Sequence, residues 1–161
     1  MSDSAPLLAE AIRLWEQAQG FQMRRELPEA IRLYRESLAT YPTAAAHTFL
    51  GWALSWQGDV DGAIEECKRA IAIDPDFGNP YNDIGVYLIE KGELEAAIPW
   101  LERAQSAKRY EPRHYPHLNL GRIYQKTGKV LRAITEFEQA LALHPGDAMA
   151  RQALSKLRVL N

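Results

Sequence analysis

The sequence predicts an all-α fold, an α-solenoid built from helix–turn–helix repeats. Three observations predict it. Small residues recur in register: Gly51, Gly85 and Gly121 are spaced by 34 and 36, and Ala30, Ala63, Ala97 and Ala133 by 33, 34 and 36. The punctuation recurs with them, as the turn glycines Gly58, Gly92 and Gly128 and the closing prolines Pro42, Pro75 and Pro145. Between these marks the apolar residues fall at helical spacing.

The best-formed unit is residues 117–145. Leu120, Gly121 and Tyr124 share one face of a first helix, Gly128 supplies the turn, and Ala133, Phe137, Ala140 and Leu141 share one face of a second helix, which Pro145 stops. A glycine inside a helix costs up to about 1 kcal/mol against alanine, so a close contact between the two helices is its expected reason.

Taken in order, residues 1–6 are polar and expected to be unordered. A helix is expected from Leu7 to about Arg24, with Leu8, Ile12, Leu14, Trp15 and Ala18 at apolar spacing, and a partner from Glu26 to Thr40. This first repeat, about 7–43, is degenerate: Ala18 stands where later repeats have glycine, and Arg25 replaces the turn glycine. The second, about 44–77, places Cys67 where Tyr34, Leu101 and Phe137 stand in the others, which makes it a small buried core residue. The third, about 78–113, carries Pro99 inside its second helix, where it removes one backbone bond and bends the helix slightly. The segment from Lys108 to Pro116 stretches the period by two; with two prolines it reads as a loop, either a recognition loop or a solvated connector. The fourth repeat covers about 114–146, and residues 147–161 read as a capping helix with Asp147 at its N-cap.

A period near 34 with helix–turn–helix content resembles the tetratricopeptide (TPR) repeat family over about residues 8–161. The resemblance implies a right-handed superhelix whose first helices line a concave groove. It also implies a protein or peptide partner and no enzymatic activity. Within the family, some co-chaperones hold acidic tails with lysines, asparagines and an arginine on successive first helices; the lysines and arginine are missing from the matching positions here.

Composition narrows the alternatives. The chain of 161 residues is 47% hydrophobic and 25% charged with a net charge of −2, which argues against a nucleic-acid surface. No apolar run approaches the roughly 20 residues of a membrane span, and the N-terminus lacks the pattern of a signal peptide, so a cytoplasmic location is expected. The single cysteine fits a reducing compartment. There is no phosphate loop, nucleophile turn or paired-histidine motif, and hence no expected catalytic residue or cofactor. His114 and His117 are separated by Pro116 in a segment with no third ligand near, so no metal site is expected.

What remains is a surface. Trp15, Phe49, Trp52, Trp56, Asn79, Asn82, Asn119 and Arg122 are the candidate groove residues, with Thr48 and Asp83 on the same faces. Three of the four tryptophans gather there, as interface anchors do. Trp52 is expected to pack partly between repeats and Trp56, near its helix end, to be the freer. Asn82, Asn119 and Arg122 have the chemistry to pair with a peptide backbone or a carboxylate. The leading expectation is an adaptor that binds a polypeptide segment in the groove. The alternatives are a self-assembling scaffold, which makes a homo-oligomer possible, and a small chaperone for a secreted or membrane-associated client.

Overall fold

The computed structural model describes residues 4–159, and among them every regular element is a helix. These are α1 (Ser4–Met23), α2 (Leu27–Thr40), α3 (Ala44–Trp56), α4 (Val60–Ile73), α5 (Asn79–Glu90), α6 (Leu94–Ser106), α7 (His114–Lys126), α8 (Val130–Leu143) and α9 (Ala148–Val159). Each packs on the next in sequence, and the odd-numbered helices α1, α3, α5 and α7 also touch one another in turn. Like helices that meet lie on the inner side of a curved stack, so the odd helices form the concave wall and the even ones the outer layer.

Two expected boundaries move. Helix α1 begins at Ser4, so Ser4–Pro6, expected to be unordered, are helical, and residues 1–3 lie outside the described residues. Helix α7 begins at His114, so Pro116 sits in its first turn rather than in a loop. A proline is tolerated there because its missing N–H would have no partner inside the helix anyway.

The pairing within each repeat rests on one small residue facing one large or soft side chain. A Cβ added to Gly121 would lie 2.7 Å from the Phe137 ring, one on Gly85 would lie 2.4 Å from a methyl of Leu101, and one on Gly51 would lie 3.0 Å from the Ala63 carbonyl and 3.4 Å from Cys67 Sγ. Phe137, Leu101 and Cys67 are fully buried. The turns that follow need left-handed backbone: Gly58, Gly92 and Gly128 have φ of 88°, 80° and 75°. Arg25, at the same place in the first repeat, adopts φ 64° without being glycine. That conformation costs a non-glycine residue roughly 1–2 kcal/mol. The Arg25 guanidinium lies 4.1 Å from the centre of the Trp56 ring, a contact worth about 0.5–1 kcal/mol at an exposed site and therefore a partial offset.

Helix ends are closed by local polar groups. Thr43, Asp59 and Asp147 accept from the backbone N–H of Ala46, Gly62 and Ala150 at 3.2, 2.9 and 2.8 Å. Helix α9 buries Ala150, Leu154 and Leu157 against α8 and covers that end of the apolar seam.

The connector between α6 and α7 is fastened along its length. The backbone N–H of Gly78 donates to Arg109 O at 2.8 Å, and that of Arg109 to Asp76 O at 3.0 Å. The Arg109 side chain reaches both carboxylate oxygens of Asp74 at 2.6 Å. Arg113 donates to the carbonyls of Gln105, Ala107 and Lys108 at 3.3, 2.9 and 3.2 Å. Tyr110 is buried against Gly78, where an added Cβ would lie 2.5 Å from Tyr110 Cβ. The cations of this segment therefore hold two repeats together, which favours the connector reading over that of a free recognition loop. No helix among the described residues is long and apolar enough to cross a membrane.

Two measurements check the packing. Gly121→Ala adds a methyl against a buried ring: overpacking costs about 1–3 kcal/mol while the helix gain is at most about 1 kcal/mol, so urea denaturation should show a net loss. Gly20→Ala in α1, whose added Cβ meets only the Arg24 guanidinium at 3.6 Å, should instead stabilise by up to about 1 kcal/mol. Cys67, buried and with its thiol pushed well upward by burial, should react with a thiol reagent in the native protein far more slowly than in denaturant.

Candidate functional site

The candidate groove residues do not form one continuous open surface. Stacking of the repeats sorts them into a buried seam and an open wall.

Trp15 belongs to the seam. Its ring stacks on Phe49 at 5.3 Å and 19°, and Phe49 stacks in turn on buried Tyr34 at 6.3 Å and 10°. Its indole Nε1 is buried with no partner among the described residues. Half-buried Trp15 thus packs between repeats one and two and is less open than the anchor expected. Asn82 and Asn119 also depart from expectation. Each is 7% exposed, and Asn119 Nδ2 donates to Asn82 Oδ1 at 3.0 Å, tying α5 to α7. Arg122 Nη1 donates to Asn119 Oδ1 at 3.3 Å. The two buried amides therefore bind one repeat to the next rather than presenting free groups to a partner, while half-buried Arg122, bonded to Asn119 within α7, keeps other N–H groups open.

The tryptophans of α3 exchange their expected roles. Trp52 is 37% exposed and Trp56 half-buried, the two rings meeting edge to face at 5.0 Å and 71°. Arg25 covers Trp56 from the preceding turn. Trp52 is thus the open indole of the concave wall.

Beside Trp52 lies a cavity of about 210 Å³ between α3 and the start of α5, lined by Thr48, Phe49, Trp52, Phe77, Asn79 and Asp83. Three of the eight expected residues, Phe49, Trp52 and Asn79, are brought together here. The Thr48 hydroxyl has its proton committed to Ala44 O at 2.8 Å, so it can offer only an acceptor. Asp83 is half-buried. Burial pushes its carboxyl up to about 7, against a smaller downward pull from Asn82. Phe77 was not foreseen: it stands in the turn before α5, and an isolated aromatic in such a turn was the available signal.

A second feature escaped the sequence reading because it joins positions 19 residues apart. His47 Nδ1 meets Glu66 Oε2 at 2.6 Å, and His117 Nδ1 meets Glu136 Oε2 at 2.7 Å. These are the same repeat positions, each joining a first helix to its second. In repeat three they are occupied by Tyr81 and Trp100, whose rings lie 6.3 Å apart, with Arg103 over both. Burial raises the Glu66 carboxyl, but His47 and Arg69 together outweigh it, and the net position is below the ordinary carboxylate value.

His114 is near His144 and Asp147, not aligned with His117; one ligand atom from each lies within 4.8 Å of the others. The two imidazoles are stacked at 4.5 Å and 21°, so their in-plane lone pairs run nearly parallel instead of converging as one ion requires. One carboxylate oxygen of Asp147 already caps α9.

With the geometry in view, the comparisons place the chain. The description Tetratricopeptide repeat matches residues 16–76, 79–110 and 114–147. The chain belongs to the tetratricopeptide repeat family, and its fold is an all-α TPR solenoid. Particular proteins resemble it at lower identity. It is 28% identical over 158 residues to the cellulose synthase operon protein C of Xanthomonas axonopodis pv. citri (strain 306), spanning 92% of this chain but 10% of that protein. Its fold is similar to that of PilF from Pseudomonas aeruginosa (TM-score 0.88, 24% identity, 95% of this chain and 70% of the other). PilW, described as a widely conserved type IV pilus biogenesis factor, superposes with a TM-score of 0.83 at 20% identity over 93% of this chain and 69% of its own. YrrB, a TPR protein described as having an unusual peptide-binding site, superposes with a TM-score of 0.71 at 16% identity over 89% of this chain and 73% of its own.

The Glu66 contacts yield a pH test. A carboxyl held below its ordinary value adds stability that is fully present above that value, 4.5, and is lost as pH falls through the folded one. Glu66→Gln should cost about 1–3 kcal/mol at neutral pH by leaving part of this network unpaired. Its deficit against the unaltered protein should shrink as pH falls below the ordinary carboxylate value, read from urea melts across pH.

Proposed function

We propose that this chain is an interaction module that holds a segment of a partner polypeptide along the concave wall formed by α1, α3, α5 and α7. The observation that carries the reading is Trp52. It is a large indole, 37% exposed, at a cavity also lined by the rings of Phe49 and Phe77 and by Thr48, Asn79 and Asp83, while Trp15 on the same side is packed against Phe49. Side chains of this kind at the centre of a concave patch carry a disproportionate share of binding energy. The family supports an interaction role over a catalytic one. The pilus role named for PilW is not transferred, since likeness at that identity speaks for the fold alone.

The test is a selection from a random dodecapeptide library displayed on phage. Peptides that bind the unaltered protein should lose about 2 kcal/mol or more of affinity toward Trp52→Ala. Thermal stability should fall little, because Trp52 is the less covered partner in its contact with Trp56. Lys68→Ala, exposed on α4 in the outer layer, should leave binding unchanged. Binding that survives Trp52→Ala and is lost in Lys68→Ala would move the site to the outer surface and overturn the reading.

A further inference from the structure

We infer that the cavity between α3 and α5 is a subsite for a cationic side chain, lysine or arginine, of the bound polypeptide, with Asp83 as its counter-charge. The inference deepens the groove reading above and rests on it.

Asp83 is an exception among the covered acids of this chain. Glu66, Asp74, Asp76 and Glu136 each hold a basic side chain within 4.0 Å, and Asp147 caps a helix. Among the described residues no lysine, arginine or histidine pairs with Asp83. A carboxylate taken partly out of water with an amide bond from Asn82 but no counter-charge is unfavourable, and a cationic ligand would complete it. The position makes the choice plain. In the next repeat it is occupied by Asn119, which is neutral, buried and bonded to Asn82. An asparagine there serves the stack; an aspartate facing a cavity does not.

The walls suit a cation with an apolar stem. Phe49, Trp52 and Phe77 offer ring faces that cover methylene groups and attract an ammonium or guanidinium through the ring quadrupole. Asn79, at the first turn of α5, has no side-chain partner among the described residues and adds an acceptor at the rim. A carboxylate ligand would meet repulsion from Asp83, and a purely apolar one would leave Asp83 desolvated without a counter-charge.

The titratable groups that face Asp83 are Cys67 from α4, Tyr87 from α5 and Tyr110 from the α6–α7 connector; burial raises all three, so they stay neutral near pH 7. Asp83 itself, raised by burial to about 7, changes charge there. Below that pH it is protonated and offers no charge. Above it, the carboxylate draws the cation in. Affinity for a cationic peptide should therefore rise with pH through neutrality.

The experiment uses the same phage-displayed dodecapeptides, sorted into those whose binding requires Trp52 and those whose binding does not. Trp52-dependent peptides should share lysine or arginine at one register position. In a synthetic copy, replacing that lysine by norleucine or that arginine by citrulline should weaken binding to the unaltered protein by about tenfold or more. Against Asp83→Asn, which introduces the residue that the next repeat already carries, the same replacement should change little. The cationic peptide should bind more tightly at about pH 8 than at about pH 6, and the norleucine peptide equally at both. Trp52-dependent peptides with no preferred cation, or a replacement that weakens binding equally to both proteins, would overturn the subsite and leave the groove reading standing. A selection in which no peptide depends on Trp52 would overturn both.

Discussion

The structure depends on the close approach of two helices at a residue with almost no side chain. Gly121 leaves the space that the Phe137 ring fills, Gly85 the space for Leu101, and Gly51 the space for Cys67. Burying that seam fixes which face of each first helix turns outward, because the opposite face of the same helix is left over. Repetition does the rest. Once α1, α3, α5 and α7 are held at one angle to their partners, they meet one another and build a wall. No single central core is needed; the apolar cluster runs from Leu14 to Leu157 through successive repeats.

On that wall, polar and aromatic residues take part in two different tasks. Some join repeat to repeat: the Trp15–Phe49–Tyr34 stack at one end, the Asn82–Asn119 bond further on. The His–Glu pairs of repeats two and four do the same work within a repeat. Others are left open, chiefly Trp52 with Asn79 and Asp83 around the cavity. The α6–α7 connector, two residues longer than the period allows, is drawn back onto the turn before α5 through Arg109, Tyr110 and Arg113. That turn carries Phe77, so the staple and the cavity share a wall.

The pattern of helices was legible because it is local. The spacing of Gly51, Gly85 and Gly121 and of the turn glycines fixes length and pairing, and Cys67 could be placed in the core from register alone. The division of the groove was not legible, since it depends on neighbours 34 or more residues away. Trp52 was expected to pack partly between repeats, yet it is Trp15 that Phe49 of the next repeat covers. Trp56 looked free until Arg25, standing in place of a turn glycine, was found over its ring. Asn82 and Asn119 had the chemistry of peptide binders, but they lie opposite each other. Asp83 was on the right face, yet its lack of a cation could not be read before its neighbours were known.

The central claim is that stacking divides the tryptophans into a covered seam and an open wall. The direct measurement is fluorine NMR of the protein labelled with 5-fluorotryptophan, with each of the four signals assigned by single substitution and then exposed to a soluble paramagnetic agent. The structure predicts that the Trp52 signal broadens most and that half-buried Trp15, stacked on Phe49 with its indole nitrogen buried, broadens clearly less. A Trp15 signal that broadens as readily as that of Trp52 would mean that the repeats do not close over the seam, and the account of the groove would fail.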